Sequence, residues 1–285
     1  MAKILTITNQ KGGVGKTTTC VNLAASLAAT KKRVLMVDMD PQGNATMGSG
    51  VDKHHLKNSV YEVLTGDASI EEAIIKKTPA GYDLVGSNGD LTAAEVELLQ
   101  LPRREFRMKM ALESVADNYD FVLIDNPPSL NLLTVNALAA SSGVIIPMQC
   151  EYYALEGISA LIGTVNKINK RLNPSLRIEG ILRTMFDPRM SLTKDVSNHL
   201  VDYFGDQVYR TVIPRNVRLA EAPSHGLPAL MYDKNSRGSV AYLALAGELI
   251  RKTAQEEKQA QAEARELVPE SSSEHLSEQT QEQEG

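Results

Sequence analysis

The sequence predicts an α/β protein: one domain built on a mostly parallel, twisted sheet with helices on both faces. Three observations predict it. Short, continuous apolar runs alternate with helical stretches along most of the 285 residues. The first run passes through a glycine-rich loop directly into a helix. Two later runs, RVLMVD at residues 33–38 and FVLID at residues 121–125, end on an acid. Strands that are apolar throughout are strands buried on both faces, and the intervening helices supply the cover.

Taken in order, residues 4–8 (ILTIT) form the first strand. Residues 16–30 form a helix that places Cys20, Leu23, Ala24, Leu27 and Ala28 on one face. Residues 33–38 are the second strand and 121–125 the third, with a helix at 103–116 between them. Further strands are predicted at 143–147, 178–185 and 208–213, and further helices at 155–172, 192–204 and 239–252. No repeat and no internal linker interrupts the pattern, so residues 1–254 read as one domain. Residues 255–285 contain nine Glu against Lys258 and Arg265, and they have no apolar period after Leu267 and Val268. Such a segment cannot offset its ordering entropy, which predicts a disordered tail rich in Gln, Glu and Ser.

The tail also explains the charge. The whole chain carries −5, but residues 255–285 carry −7, which leaves the body at +2. A mildly basic body is compatible with a nucleic-acid partner without requiring one. No apolar run approaches the roughly 20 residues of a bilayer crossing. The chain opens directly into a strand with no basic region or cleavage site, so a cytoplasmic protein is expected. Cys20 and Cys150 lie in apolar surroundings without a CxxC or His-rich neighbourhood, and are expected to be reduced and buried. That argues against zinc and iron–sulfur chemistry.

The densest chemical signal is residues 10–18, QKGGVGKTT, after a strand and before a helix. Gly12, Gly13 and Gly15 let backbone N–H groups turn towards phosphate oxygens. Lys16 supplies a charge for the β- and γ-phosphates, and Thr17 a hydroxyl for Mg²⁺. The usual phosphate-loop pattern has Gly five residues before Gly15, where this chain has Gln10, and does not require Lys11. Asp38 and Asp40 follow the second strand at the sheet edge where ligands bind. A simple turn and strand cap would explain the same two carboxylates. Asp125 ends the FVLID strand, where it could hold a magnesium-bound water.

KGGVGKT with its early lysine resembles the deviant Walker A loop of the ParA/MinD superfamily of P-loop ATPases. The resemblance implies an ATP and Mg²⁺ site built by Lys11, Gly12, Gly13, Val14, Gly15, Lys16, Thr17 and Thr18, with Asp40 and Asp125. It implies that Lys11 reaches across a nucleotide-sandwich homodimer to the partner's phosphates, as an arginine finger does. DMDPQGN is similar to the family's switch I and assigns Asp40 to the attacking water or the Mg²⁺ shell. NPPSL resembles switch II, although Asn126 stands where the family more often has Cys.

Residues 149–157, 209–226 and 232–248 resemble the chromosomal ParA/Soj group in particular. That group's adenine and ribose clamp maps to Pro214 and Asn216, where a plain turn would serve almost as well. Its basic DNA-contacting positions map to Arg189 and Arg218, with Lys194 and Arg215 near them in sequence. The resemblance therefore implies a slow, partner-stimulated ATPase that dimerises with ATP and binds duplex DNA of any sequence on the nucleoid. A ParB-type partner would release it. Two other readings are a MinD-type positioning protein or scaffold with little turnover, and a metallocluster carrier. The first would need a basic amphipathic C-terminal helix, whereas residues 253–266 are acidic overall. The second would need cysteines presented at a dimer interface.

Overall fold

The computed structural model describes residues 2–152 and 154–266. Seven strands form one sheet: β1 Lys3–Ile7, β2 Val34–Asp38, β3 Ile74–Ile75, β4 Asp83–Val85, β5 Phe121–Asp125, β6 Gly143–Gln149 and β7 Arg177–Thr184. Their spatial order is β3-β4-β2-β5-β1-β6-β7. All neighbours are parallel except the short β3–β4 pair. The predicted α/β class is therefore the observed one.

Every residue of β2 and β5 is buried, as continuous apolar runs require of strands covered on both faces. One buried cluster joins Val37, Val122 and Ile124 to Leu64, Met108 and Leu133. A second joins Ile146 and Ile181 to Leu161, Val196 and Leu200. Helix α1, Lys16–Ala29, packs against the centre of the sheet with Cys20, Leu23, Ala24 and Leu27 wholly or almost wholly inaccessible. Both cysteines are buried free thiols.

Register decides what meets at the sheet edge. Ile7 of β1 and Asp38 of β2 both pair with Asp125 of β5. The loops leaving β1, β2 and β5 consequently start side by side.

Several predicted elements differ from the observed ones. Residues 208–213 form no strand, only bridges pairing Val208 with Ile181 and Pro214 with Phe186. The Arg183 guanidinium donates to the Tyr209 carbonyl at 2.7 Å and the Arg210 carbonyl at 3.3 Å, taking acceptors a ladder would need. The Tyr209 ring also lies over Gly180, where an added Cβ would come within 2.4 Å of it. The helix expected at 103–116 is only Arg107–Glu113, because Arg103 adopts a left-handed φ of 53° and breaks its start. The helix Leu132–Ala140 was not foreseen. It is buried on nearly all sides, so its sequence shows no amphipathic period.

The last helix, Arg237–Glu266, runs past the predicted end at residue 252. Residues 255–266 are thus helical rather than disordered. Ala, Glu, Gln and Lys are strong helix formers, and extending an existing helix needs no new nucleus. The compact α/β unit spans Met1–Ala246, and Gly247–Gly285 forms a second unit. The rest of the predicted tail, residues 267–285, lies outside the described residues. Among the described residues no helix is long and apolar enough to cross a membrane.

Candidate nucleotide site

Between β1 and α1 the chain makes a turn that only glycine tolerates at two points. Gly13 and Gly15 have φ of 73° and 87°, in the left-handed region. Gly12 has neither a positive φ nor a neighbour that a Cβ would meet, so the fold of the chain alone does not demand glycine there. Val14 is buried and pins the loop. Its carbonyl accepts the Thr184 hydroxyl at 2.8 Å, tying the loop to the end of β7. Gly15 caps α1 without a side-chain hydrogen bond, so the helix presents its first N–H groups and positive dipole end to the loop.

Lys16 folds back over this turn, donating to the Lys11 carbonyl at 3.2 Å, and is almost completely buried. Burial lowers its pKa, while the charges of Asp125 and Asp40 oppose that shift. Asp125 is fully inaccessible, and neither of its carboxylate oxygens has a hydrogen-bond partner. Its pKa is raised well above the usual carboxylate range, by burial first and by Asp38 second. The Thr17 hydroxyl, near but outside hydrogen-bond geometry, and the Lys16 charge pull it back. A buried carboxylate with two orphaned oxygens is costly unless a cation or a proton completes it.

Asp40 is nearly buried, and its Oδ1 accepts the Gln42 amide at 2.9 Å. Asp38 is fully buried and accepts three hydrogen bonds, from the Asp40 amide, the Thr46 amide and the Thr46 hydroxyl. Burial nevertheless pushes its pKa up to about 6. Among the described residues no group of three or more His, Cys, Asp or Glu could hold a metal ion by itself. A hard divalent cation here would complete its shell with phosphate oxygens and water, as Mg²⁺ usually does.

The structure also brings the predicted base clamp to the loop. One cleft is lined by Gly13, Gly15, Thr18, Thr184, Pro214, Asn216 and Tyr242. Asn216 has a duty the sequence did not reveal: its Oδ1 caps the helix Val217–Glu221 by accepting the Arg218 amide at 3.0 Å. Its Nδ2 and the second lone pair of Oδ1 remain for further partners. Thr184 and Tyr242 were not foreseen as site residues. A hydroxyl at a strand end and a tyrosine on a distant helix carry no local pattern.

Lys11 is placed differently. Its side chain is half-exposed and its ammonium pairs with Glu151 at 2.5 Å, while its backbone amide donates to Asn9. Asn126 is buried beside Asp125 but turns its amide into the sheet, donating to Thr6 Oγ1 at 2.6 Å and to the Ile7 and Ile124 carbonyls. The two candidate DNA contacts are each engaged already. Arg189 is clasped by Asp187 at 2.9 and 2.7 Å, which holds that carboxyl far below the usual range. Arg218 bonds Glu221 at 2.8 Å, lies 3.4 Å from Asp233, and sits over the Tyr232 ring.

Residues 2–178 match a family model described as an AAA domain. Over 249 residues the chain is 55% identical to the sporulation initiation inhibitor protein Soj of Bacillus subtilis, covering 87% of this chain and 98% of that one. Over 252 residues it is 50% identical to the chromosome partitioning protein ParA of Myxococcus xanthus, covering 88% and 89%. It is similar in structure to cobyrinic acid a,c-diamide synthase from Mycobacterium smegmatis with bound ATP analog and magnesium. There the TM-score is 0.77 and the identity 37%, over 88% of this chain and 95% of that one. Identities of 55% and 50% over 87% and 88% of the chain, with the family match over residues 2–178, mean that this chain belongs to the ParA/Soj-type ATPases of the ParA/MinD superfamily.

Proposed function

We propose that the protein is a DNA-partitioning ATPase that binds ATP with Mg²⁺, dimerises, and holds duplex DNA without sequence preference until a ParB-type partner stimulates hydrolysis. The observation that carries the nucleotide chemistry is Asp125, buried with two unpartnered oxygens beside Lys16 at the mouth of the phosphate loop. Thr17 and Asp125 are the residues that would hold Mg²⁺, with Asp40 alongside. The ion would supply neutralisation of phosphate charge. Lys16 and the N–H groups at the start of α1 orient the phosphates. Asp40 holds the attacking water, and Lys11 exchanges Glu151 for a phosphate of the partner subunit. That exchange is easy, because a half-exposed ion pair contributes only about 0–1 kcal/mol.

The partitioning role is supported by the name of the ParA relative, a chromosome partitioning protein, and by its 50% identity to this chain. The amide synthase shares the nucleotide fold at lower identity, which favours partition over amide synthesis for this chain. The Nδ2 of Asn126 is committed to β1 and β5, while its buried Oδ1 has no partner among the described residues.

Fluorescence anisotropy with random duplex DNA over a salt series tests the switch. Binding should be tighter with ATP than with ADP. Arg189→Glu or Arg218→Glu should weaken it for every sequence alike and flatten the slope of log K by about 0.9 for every phosphate no longer neutralised. ATP-dependent dimerisation should survive both changes. Equal binding with ATP and ADP would reject the switch, and variants matching the parent would place the DNA on another face.

A further inference from the structure

Asp38 is the other carboxylate of the DMDPQGN segment, and the nucleotide chemistry above leaves it without a task. Its geometry is unusual for a residue that only ends a strand. Oδ1 accepts the amide of Asp40 at 3.1 Å. Oδ2 accepts both the amide and the hydroxyl of Thr46, each at 2.8 Å. The Thr46 hydroxyl in turn accepts the Ser87 amide at 2.9 Å, just beyond β4. One buried group therefore grips the turn at Asp40 and again at Thr46, and Thr46 fastens it to a neighbouring strand end. All three residues of this relay, Asp38, Thr46 and Ser87, are inaccessible to solvent.

The turn between the two grips is itself stiff. Asp40 Oδ1 accepts the Gln42 amide at 2.9 Å and the Asp40 carbonyl accepts the Gly43 amide at 2.9 Å. Gly43 has a φ of 60°, and a Cβ there would lie 2.5 Å from the Ser87 carbonyl oxygen. Asp40 Oδ2 makes no hydrogen bond among the described residues, so one oxygen of a held carboxylate is left to act.

A carboxylate carries a cost at this position. Among the described residues no cation pairs with Asp38, and it lies in register with Asp125 across β2 and β5, where a second buried negative charge is unfavourable. A neutral or apolar strand end would avoid both penalties. What the carboxylate provides is acceptor capacity for three converging donors, which a neutral side chain of this size cannot match.

We propose that Asp38, with the Thr46 hydroxyl as its bridge, is the positioning residue for Asp40, setting where the Asp40 carboxylate stands relative to the phosphate loop. This rests on the reading of Asp40 as the group that orients the attacking water. Displacing such a group by about 1 Å can reduce the rate by about 100-fold without touching substrate binding.

Single-turnover ATP hydrolysis, nucleotide affinity and thermal unfolding are measured on the full chain with Mg²⁺ for Asp38→Asn, Thr46→Val and Thr46→Ser, beside Asp40→Ala. Asp38→Asn and Thr46→Val should each hydrolyse about 10- to 100-fold more slowly, with nucleotide affinity within about threefold of the parent. Thr46→Ser, which keeps the hydroxyl, should recover the rate to within about threefold. A lower Tm with an unchanged rate per folded molecule would overturn the proposal and leave Asp38 as an anchor. If Asp38→Asn does not fold, the Thr46 pair decides alone, and equal rates for Thr46→Val and Thr46→Ser overturn it. Parental turnover by Asp40→Ala overturns it by a different route, since the water-orienting reading itself then fails.

Discussion

Asp40→Ala should bind ATP with close to parental affinity, accumulate as a dimer, and hydrolyse at least about 100-fold more slowly. Asp40 stands just past the end of β2, and the β2–β5 register brings that end beside Asp125. Asp40 contributes to the charge that sustains the Lys16 ammonium, but Asp125 contributes more, so losing Asp40 leaves Lys16 its main counter-charge. Phosphate binding should therefore persist. What disappears is a held carboxylate for the water, and a positioned general base is worth about 10²–10⁴-fold. Single-turnover hydrolysis measured beside light scattering checks both halves. Unchanged turnover would demote Asp40 to a turn residue.

Lys16→Ala should abolish tight nucleotide binding, whereas Lys11→Ala should not. Lys16 is the buried cation beside Asp125, and removing it withdraws a charge-assisted hydrogen bond worth about 1.5–3 kcal/mol, roughly 10- to 150-fold in affinity. It also leaves Asp125 and Asp40 facing the phosphates without a compensating charge, which adds to the loss. Lys11 is half-exposed on Glu151, away from that cluster. Its variant should bind ATP nearly as the parent does, yet neither dimerise nor turn over. Titration calorimetry separates the two lysines by affinity, and light scattering separates them by assembly. Nucleotide affinity within twofold of the parent for Lys16→Ala would remove the phosphate loop from the site. A normal ATP-dependent dimer from Lys11→Ala would remove the role in trans.

How much of this was legible before the structure depends on the range of the interaction. The phosphate loop was readable because its signal is local: consecutive glycines, a lysine and a helix start within nine residues. The central strands were readable because burial on both faces imposes a continuous apolar run. β4 escaped notice since three residues are too few to show a pattern. Residues 208–213 differ from expectation for the opposite reason. Their composition suits a strand, but Arg183 and the Tyr209 ring over Gly180 prevent continuous pairing. The final helix runs past its predicted end because propagation of an existing helix needs only favourable propensity and no apolar face.

The amino-acid sequence by itself determined the fold class, through alternation along most of the chain, and it singled out the phosphate loop and the acids Asp38, Asp40 and Asp125, each written in a few consecutive residues. Only the tertiary structure decided how those acids differ. Register places Asp38 and Asp125 side by side, yet three donors converge on Asp38 while Asp125 receives none. The same folding commits Asn216 to a helix cap, turns Asn126 into the sheet, and sets Arg189 and Arg218 against carboxylates. A side chain's charge state and remaining bonding capacity depend on donors, acceptors and burial contributed by residues far apart in the chain. Those neighbours exist only once the sheet has aligned its edges.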